Sequence, residues 1–536
     1  NHSARKLSRT GHTSWTLTEV DFTDGPYLET NTTATTLTPS GTTGSVNITA
    51  SASLFAATDV GRLVSFSNGR AKITGFTSAT VVAATVQDDF DNTNSVSNWK
   101  LGAFSGTTGH PSTVCFFEQR LVFAGTTAEP QTLYFSKSGD YENMTTGTNA
   151  DDAMVYTIAS NQVNRIRYLK AQRTLIIGTT GGEFTVSADG TDAAITPTNI
   201  VIKKQSAYGT ANVDATTAGN AVLFLQKAKR KIRELTYNFD VDGYVAPDLT
   251  ILNDIVTKSG INEMAYQQEP DSILWCVRDD GVFAGLTYQR SENVIAWHRH
   301  KLGGTFGSGD SATGYGVVES VASISGELTE DELYVIVKRT INGATKRYVE
   351  VFAPFDFDET NSTDFRFLDS HLTYSGSSTT TLSGLNHLEG QTVSILADGS
   401  THATKVVSSG SVTLDRSVTS AVVGLKYDSV LQTMRVEGGS AQGTSQGKIK
   451  RISKVVLRLF ETVGAKVGPS LTDLETVPFR TTSSPMGQPV PTLIAGDKQV
   501  EFRDDFNSDG FIFVKQDQPL PLSVLALYPT IVTNDG

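Results

Sequence analysis

Cysteine is nearly missing from this chain: Cys115 and Cys276 are its two, with no CxxC pair and no metal-ligand spacing. A disulfide framework is excluded, because a chain of 536 residues builds a core without covalent staples. A single bridge between the two stays open; two buried free thiols in a protein made in a cytosol is the expectation. Long apolar runs are missing too. None approaches the ~18–20 residues that span a bilayer, which excludes an integral helical membrane protein. Cations are in deficit, with Lys+Arg 44 against Asp+Glu 56 and a net charge of −12. Gripping nucleic acid over a whole surface needs clustered cations, so that class is disfavoured. Hydrophobic residues make up 38%, enough for a core, so a wholly disordered chain is excluded. The length suggests three or four units of ~150 residues. The chain opens at Asn1 rather than Met, which suggests an opening segment cleaved or left out. Its first residues, Asn-His-Ser-Ala-Arg-Lys, carry no apolar stretch of the secretory kind.

Helical periodicity is scarce, and what is present reads as β. Short runs rich in Val, Ile, Thr, Phe and Tyr alternate with Gly, Asn, Asp and Ser turns. Residues 471–476 suit one helical turn, and 161–169 fits helix or strand. A loose repeat stands out. Paired apolar strands joined by a polar turn recur at 120–135, 174–187, 221–237, 272–288 and 332–352, with starts 54, 47, 51 and 60 residues apart. One example is Ile273-Leu-Trp-Cys-Val277, then Arg278-Asp-Asp-Gly281, then a second strand at 282–288. A period of ~40–50 residues with several strands per unit points to a β-propeller, whose twisted sheets bury both faces by stacking about an axis. A large β-sandwich with irregular strand spacing is the alternative.

Two further segments resemble each other. Asp59-Val-Gly-Arg-Leu-Val-Ser-Phe-Ser-Asn-Gly69 and Leu388-Glu-Gly-Gln-Thr-Val-Ser-Ile-Leu-Ala-Asp-Gly399 both pass from a glycine through an alternating strand to Asn-Gly or Asp-Gly. That ending predicts hairpins. With the strands at 80–86 and 411–414, each suggests a small β-barrel, and the Ser/Thr/Gly-rich 30–44 and 438–447 read as linkers or loop tips. Near the C-terminus, 452–460, 500–502 and 510–514 read as strands. Gln518-Pro-Leu-Pro521 introduces another at 522–528, ending at Pro529.

Chemistry-bearing patterns are few. Asp505-Phe-Asn507-Ser-Asp509-Gly510 begins like an EF-hand calcium loop, but the twelfth position is Gln516 and strands flank it, so a solvated turn is expected. His298 and His300 share one face of a strand beside Trp297; without a third ligand they read as packing rather than metal-binding. Gly178-Thr-Thr-Gly-Gly182 lacks the Lys-Ser/Thr of a phosphate loop and reads as a turn. Asp151-Asp152, Asp279-Asp280 and Asp504-Asp505 are acid pairs whose separation nothing sets, so glycoside hydrolysis stays unsupported. The densest basic run, Lys227-Ala-Lys-Arg-Lys231 with Arg233, reads as a charged hairpin turn, with DNA contact as the alternative.

One resemblance covers most of the chain in order. It is carried by His110-Pro-Ser-Thr-Val-Cys-Phe-Phe-Glu-Gln-Arg-Leu-Val-Phe-Ala124, Leu133-Tyr-Phe-Ser-Lys-Ser-Gly-Asp-Tyr141 and Ile176-Ile-Gly-Thr-Thr-Gly-Gly-Glu-Phe184. Asp248-Leu-Thr250, Met264-Ala-Tyr-Gln-Gln-Glu-Pro270, Val294-Ile-Ala-Trp-His298 and Gln518-Pro-Leu-Pro-Leu522 extend it. Together they resemble the tail nozzle family of short-tailed bacteriophages (podoviruses), also called tail tubular protein B. The small barrels are similar to FCCH-type domains, a label of shape that implies no ubiquitin chemistry. Members of the family usually carry a longer N-terminal part.

The resemblance implies an all-β virion protein, made in the host bacterial cytoplasm. It implies a β-propeller platform with two inserted FCCH-like barrels and a C-terminal β unit. The implied division is 1–29 joining the platform, 30–108 a small barrel, 109–367 the propeller, 368–436 the second barrel and 437–536 the C-terminal unit. A homohexamer is implied below a tail adaptor ring, holding fibres or tailspikes and passing double-stranded DNA without sequence-specific binding. Six copies at −12 carry roughly −72, which favours sliding of the duplex over sticking. No enzyme activity, catalytic residue, cofactor or metal is expected. The alternative is a tail protein that binds or depolymerises host-surface glycan.

Overall fold

The structure is a computed structural model that describes residues 2–160, 163–190, 193–326, 330–354, 362–438, 444–480 and 493–534. The chain divides into two compact units, Asn1–Tyr266 and Gln267–Gly536. Among the described residues the helical elements are short 3-10 turns, and no helix is long and apolar enough to cross a membrane. The helical turn expected at 471–476 is instead a strand, Asp473–Thr476, paired with Lys466–Ser470. Ser470 Oγ accepts from the Asp473 amide at 3.1 Å, so the side chain closes a tight turn and sheet pairing prevails over helix. The ambiguous 161–169 contains the start of a strand, Ile166–Ala171, while 161–162 lies outside the described residues.

In the first unit, a hairpin of Arg5–Gly11 and Ser14–Glu19 precedes a six-stranded antiparallel sheet. That sheet is ordered Leu37–Pro39, Ser45–Ala50, Val81–Asp88, Gly69–Ser78, Leu63–Phe66, Trp99–Leu101. Its core includes Leu37, Ile48, Val64, Ile73, Val82 and Trp99. At its edge a buried Arg62 pairs with Asp59 at 3.0 Å and donates to the Gly102 carbonyl at 2.7 Å, satisfying both charges. The Asn68-Gly69 turn forms, but the positive φ falls on Ser67 and Asn68. Gly69 opens the next strand, where a Cβ would meet the Asp88 carbonyl at 2.6 Å. Close backbone approach, rather than φ, requires the glycine there.

Three four-stranded antiparallel sheets follow, each a meander in chain order. The first comprises Thr113–Phe117, Arg120–Ala124, Thr132–Phe135 and Met154–Thr157; the second Ile166–Ala171, Leu175–Thr179, Gly182–Ala188 and Ile200–Ser206. The third comprises Thr216–Ala218, Ala221–Leu225, Ile232–Asn238 and Gly243–Val245. Their inner strands are buried on both sides, which explains continuous apolar runs instead of alternation. Successive residues of one strand serve different neighbours. Leu175 and Ile177 pack toward the first sheet with Val122, Leu133 and Phe135. Ile176 between them packs toward the third with Val222, Phe224 and Leu235. Face-to-face stacking of consecutive meanders is the propeller-like arrangement that the repeat predicted.

In the second unit the pattern continues. Ile273–Arg278, Phe283–Gln289 and Val294–His300 form antiparallel neighbours in one sheet. A three-stranded sheet of Val317–Ile324, Glu332–Ile341 and Ala344–Val351 follows. Each of the five predicted strand pairs is thus an antiparallel hairpin within one of five consecutive sheets. Asp369–Ser383, Ser411–Leu425, Thr392–Ala397 and Ser400–Val406 then form a curved sheet around Leu388, Val393, Ile395 and Val423.

The C-terminal region builds two sheets on one core of Val455, Leu457, Leu459, Val467 and Val514. Ser429–Gln432 pairs with Phe513–Gln516 and so joins this region. Pro529 does not end its strand: Ser523–Asn534 runs through it, opposite Val455. That strand is an edge of its sheet, where a residue without an N–H is tolerated. Within the linker-like 438–447, residues 439–443 lie outside the described residues.

Candidate functional site

His298 and His300 are the strongest local concentration of chemistry. They sit on one face of Val294–His300, opposite Gly285 and Phe283. A Cβ at Gly285 would overlap the His298 imidazole, so the glycine makes the ring's place. Trp275 stacks on Phe283 with centroids 4.9 Å apart and meets His300 at 5.2 Å; Phe352 borders both aromatic rings. His298 Nδ1 lies 2.7 Å from His300 Nε2. One nitrogen must donate to the other, so the pair does not offer two lone pairs to one ion. Burial pushes both imidazoles below their usual range, His300 to about 3, so both are neutral near pH 7. These are packing histidines.

The thiols are free, as expected; Cys276 is buried, whereas Cys115 is only half-buried. Burial drives Cys115 up to about 12 and raises Cys276 further, so neither is a ready nucleophile. The Gly178–Gly182 segment is a turn in which Thr179 Oγ1 donates to the Gly182 carbonyl at 2.6 Å. Directly after it stands a residue quoted above for the resemblance, whose role the sequence did not show. Glu183 is fully buried, accepts from the Ser206 hydroxyl and from Thr210 Oγ1 at 3.1 Å, and has its carboxyl pushed up by burial. It fastens the 206–210 connection instead of facing solvent. An adjacent cleft of 730 Å³ is lined by Thr157, Ser160, Asn164, Phe184 and Lys204, among others, and its described lining holds no carboxylate.

The three acid pairs lie in three separate turns, each occupied locally. Asp152 accepts from the Asn149 amide at 2.9 Å and pairs with Lys137 at 3.2 Å. Asp280 pairs with Arg278 at 2.6 Å and caps the Val282 amide. Asp504 accepts from the Ile452 amide at 3.1 Å. In the calcium-like loop, Asn507 Oδ1 accepts from the amides of Asp509 and Gly510, and Asp509 pairs with Arg435 at 2.9 Å. The side chains close a turn, and among the described residues no cluster of His, Cys, Asp and Glu has metal-holding geometry.

The basic run is the expected hairpin turn between Ala221–Leu225 and Ile232–Asn238. Lys229 donates to Asn262 at 2.7 Å, Lys231 pairs with Asp248 at 2.9 Å, and Arg233 stacks 3.6 Å above Tyr208. Two buried arginines, whose roles the sequence did not show, act on backbone. Arg120 donates to the carbonyls of Ser136, Ala150 and Asp152 at 2.6–2.7 Å. Arg339 donates to the Gly303 carbonyl at 2.7 Å and pairs with Glu350. The only sequence signal for either was a cation inside an apolar run, as in Arg120-Leu-Val-Phe-Ala124.

No protein-family model matches the chain, and no curated protein matches it. Among solved structures it is similar to an auxiliary nutrient binding protein from Bacteroides thetaiotaomicron, at 10% identity and TM-score 0.25, over 59% of this chain and 85% of that one. It is also similar to a protein from Lactobacillus plantarum, at 9% identity and TM-score 0.28, over 67% and 98%. The β-propeller domain of Cps50 (Swd1) from Myceliophteria thermophila matches at 10% identity and TM-score 0.25, over 61% and 99%. Likeness at this level carries no functional argument.

Proposed function

We propose that this chain is a structural subunit of the tail nozzle of a short-tailed bacteriophage. Six copies encircle the DNA channel, hold it closed before infection and conduct the genome at ejection, with attachment sites for an adaptor ring and for fibres or tailspikes. The observation that carries this reading is the stacked series of meanders whose inner strands are buried on both faces. Such a block is stiff, because close-packed interiors transmit load instead of yielding. The family-like residues support it by their roles: Leu133, Tyr134 and Phe135 are core, and Arg120 and Glu183 tie connections in place. The acid pairs and histidines stabilise turns and packing, as a scaffold requires. The charge of −12 per copy suits a channel along which a duplex slides.

A second reading, a glycan-binding or depolymerising tail protein, draws on the polar cleft of Thr157, Ser160, Asn164 and Lys204. Antibody against the chain, applied to intact particles, separates the two. The nozzle reading expects label at the distal tail tip, and particles assembled without the chain that lose packaged DNA. Label along fibres, or release of sugar from host capsule by the purified chain, overturns it.

A further inference from the structure

The hairpin of Arg5–Gly11 and Ser14–Glu19 gathers apolar side chains on one open face. Its register pairs Leu7 with Leu17 and Arg9 with Trp15, so Arg5, Leu7, Arg9, Trp15, Leu17 and Glu19 share one face. That face is open: Leu7 is 62% exposed, Trp15 53% and Leu17 64%. Arg9 lies 5.3 Å from the Trp15 ring centroid, and Arg5 pairs with Glu19 at 3.3 Å. Lys6, Ser8, Thr16 and Thr18 lie on the opposite face. The base is fastened by the Val20 amide donating to the Ala4 carbonyl at 2.9 Å and by Lys6 with Glu142. A two-stranded hairpin with one apolar face is marginal in water until that face is covered.

Charge selects the cover. The open face carries Arg5 and Arg9 against Glu19, a basic patch on a chain of net charge −12. A surface of matching pattern occurs on the same chain, in the turn after Ile232–Asn238. There Phe239 is 86% exposed and Val241 64%, alternating with Asp240 and Asp242. The turn is rigid: Asn238 Oδ1 accepts from the Asp240 amide at 2.8 Å, and Tyr237 donates to Asp242 at 2.6 Å. The open face of the hairpin joins apolar and cationic side chains, and the 3-10 turn Phe239–Val241 with Asp242 joins apolar and anionic ones.

We propose that the 5–19 hairpin of one copy docks on the 237–242 turn of a second copy. Leu7, Trp15 and Leu17 meet Phe239 and Val241, while Arg5 and Arg9 face Asp240 and Asp242. Hairpin and turn are different patches, so the contact is head-to-tail, and repetition closes a ring when the rotation permits. The inference rests on the ring reading above and names one of its contacts.

Two differently tagged full-length chains, Leu17→Cys and Val241→Cys, are mixed and oxidised. Cys276 is buried, and the half-buried Cys115 is replaced by serine in both chains. Disulfides joining unlike tags are expected, ~10-fold above a Thr16→Cys control on the polar face. Arg5→Glu with Arg9→Glu lowers the yield ~10-fold, and Asp240→Lys with Asp242→Lys on the other chain restores it. Equal yields from Leu17→Cys and Thr16→Cys, or no rescue by the charge swap, overturn the contact. Sedimentation of the unmodified chain separates the failures. Multi-copy particles without the cross-link defeat this contact alone, and single copies at every concentration defeat the ring as well.

Discussion

His298 and His300 meet nitrogen to nitrogen at 2.7 Å beside Trp275, and burial resists charging either ring. When unfolded, each titrates near 6.5, while the native His300 holds out to about 3. Below pH 6.5 the unfolded chain therefore gains protons that the native pair refuses. Stability falls as pH drops through that window, by about 1.4 kcal/mol per pH unit for His300 once well below its unfolded pKa, and His298 acts in the same direction. Urea unfolding followed by tryptophan fluorescence is expected to shift to lower urea between pH 7 and pH 5. In His300→Gln the shift shrinks; an equal shift in the variant places the acid sensitivity elsewhere.

Gly285→Ala is expected to destabilise the same sheet by about 1–3 kcal/mol, since its methyl group would overlap the His298 ring. Gly178→Ala meets Tyr168 in the same way in the second sheet. The second substitution His298→Ala on Gly285→Ala opens space and recovers part of the loss. No recovery would mean that the glycine serves backbone conformation and not the ring.

Arg120→Met keeps the apolar stem but leaves the carbonyls of Ser136, Ala150 and Asp152 without their donor. The expected loss is about 2–5 kcal/mol. Arg120→Lys recovers little, because one ammonium does not reproduce the planar fork. Thermal unfolding of the three proteins checks this, and a Met variant as stable as the parent refutes it.

Asp369 turns its carboxyl inward, where it accepts from the Gly303 amide at 2.6 Å and burial raises it to about 6. Between the unfolded value of 3.8 and about 6 the native state holds a proton that the unfolded state has released. This contribution to stability is present below 3.8 and is lost as pH rises through 6. Asp369→Asn keeps the acceptor without the charge, so it is expected to gain stability relative to the parent at pH 7.5 and not at pH 4.5. The reverse ordering would mean that the Arg339 guanidinium outweighs burial.

The five hairpins were legible because strands buried on both faces read as unbroken apolar runs such as Ile273–Val277. Turns written in Asn-Gly and Asp-Gly were legible as well, although at Asn68-Gly69 the positive φ sits one residue earlier, on Ser67 and Asn68. Pro529 misled because its effect depends on whether its strand lies at an edge, a tertiary fact. The polar anchors were hidden for a related reason. Arg120 finds its carbonyls some 30 residues away. Glu183 finds Ser206 and Thr210 only when the second sheet closes. The 5–19 hairpin was invisible because alternation at Leu7, Trp15 and Leu17 predicts a covered face and does not say what covers it.

Single-particle cryo-electron microscopy of the assembled chain tests the central claim most directly. Six copies, each presenting stacked meanders around an axial opening wide enough for a duplex, are what the account predicts. Isolated copies, or a closed pair without an opening, would contradict it.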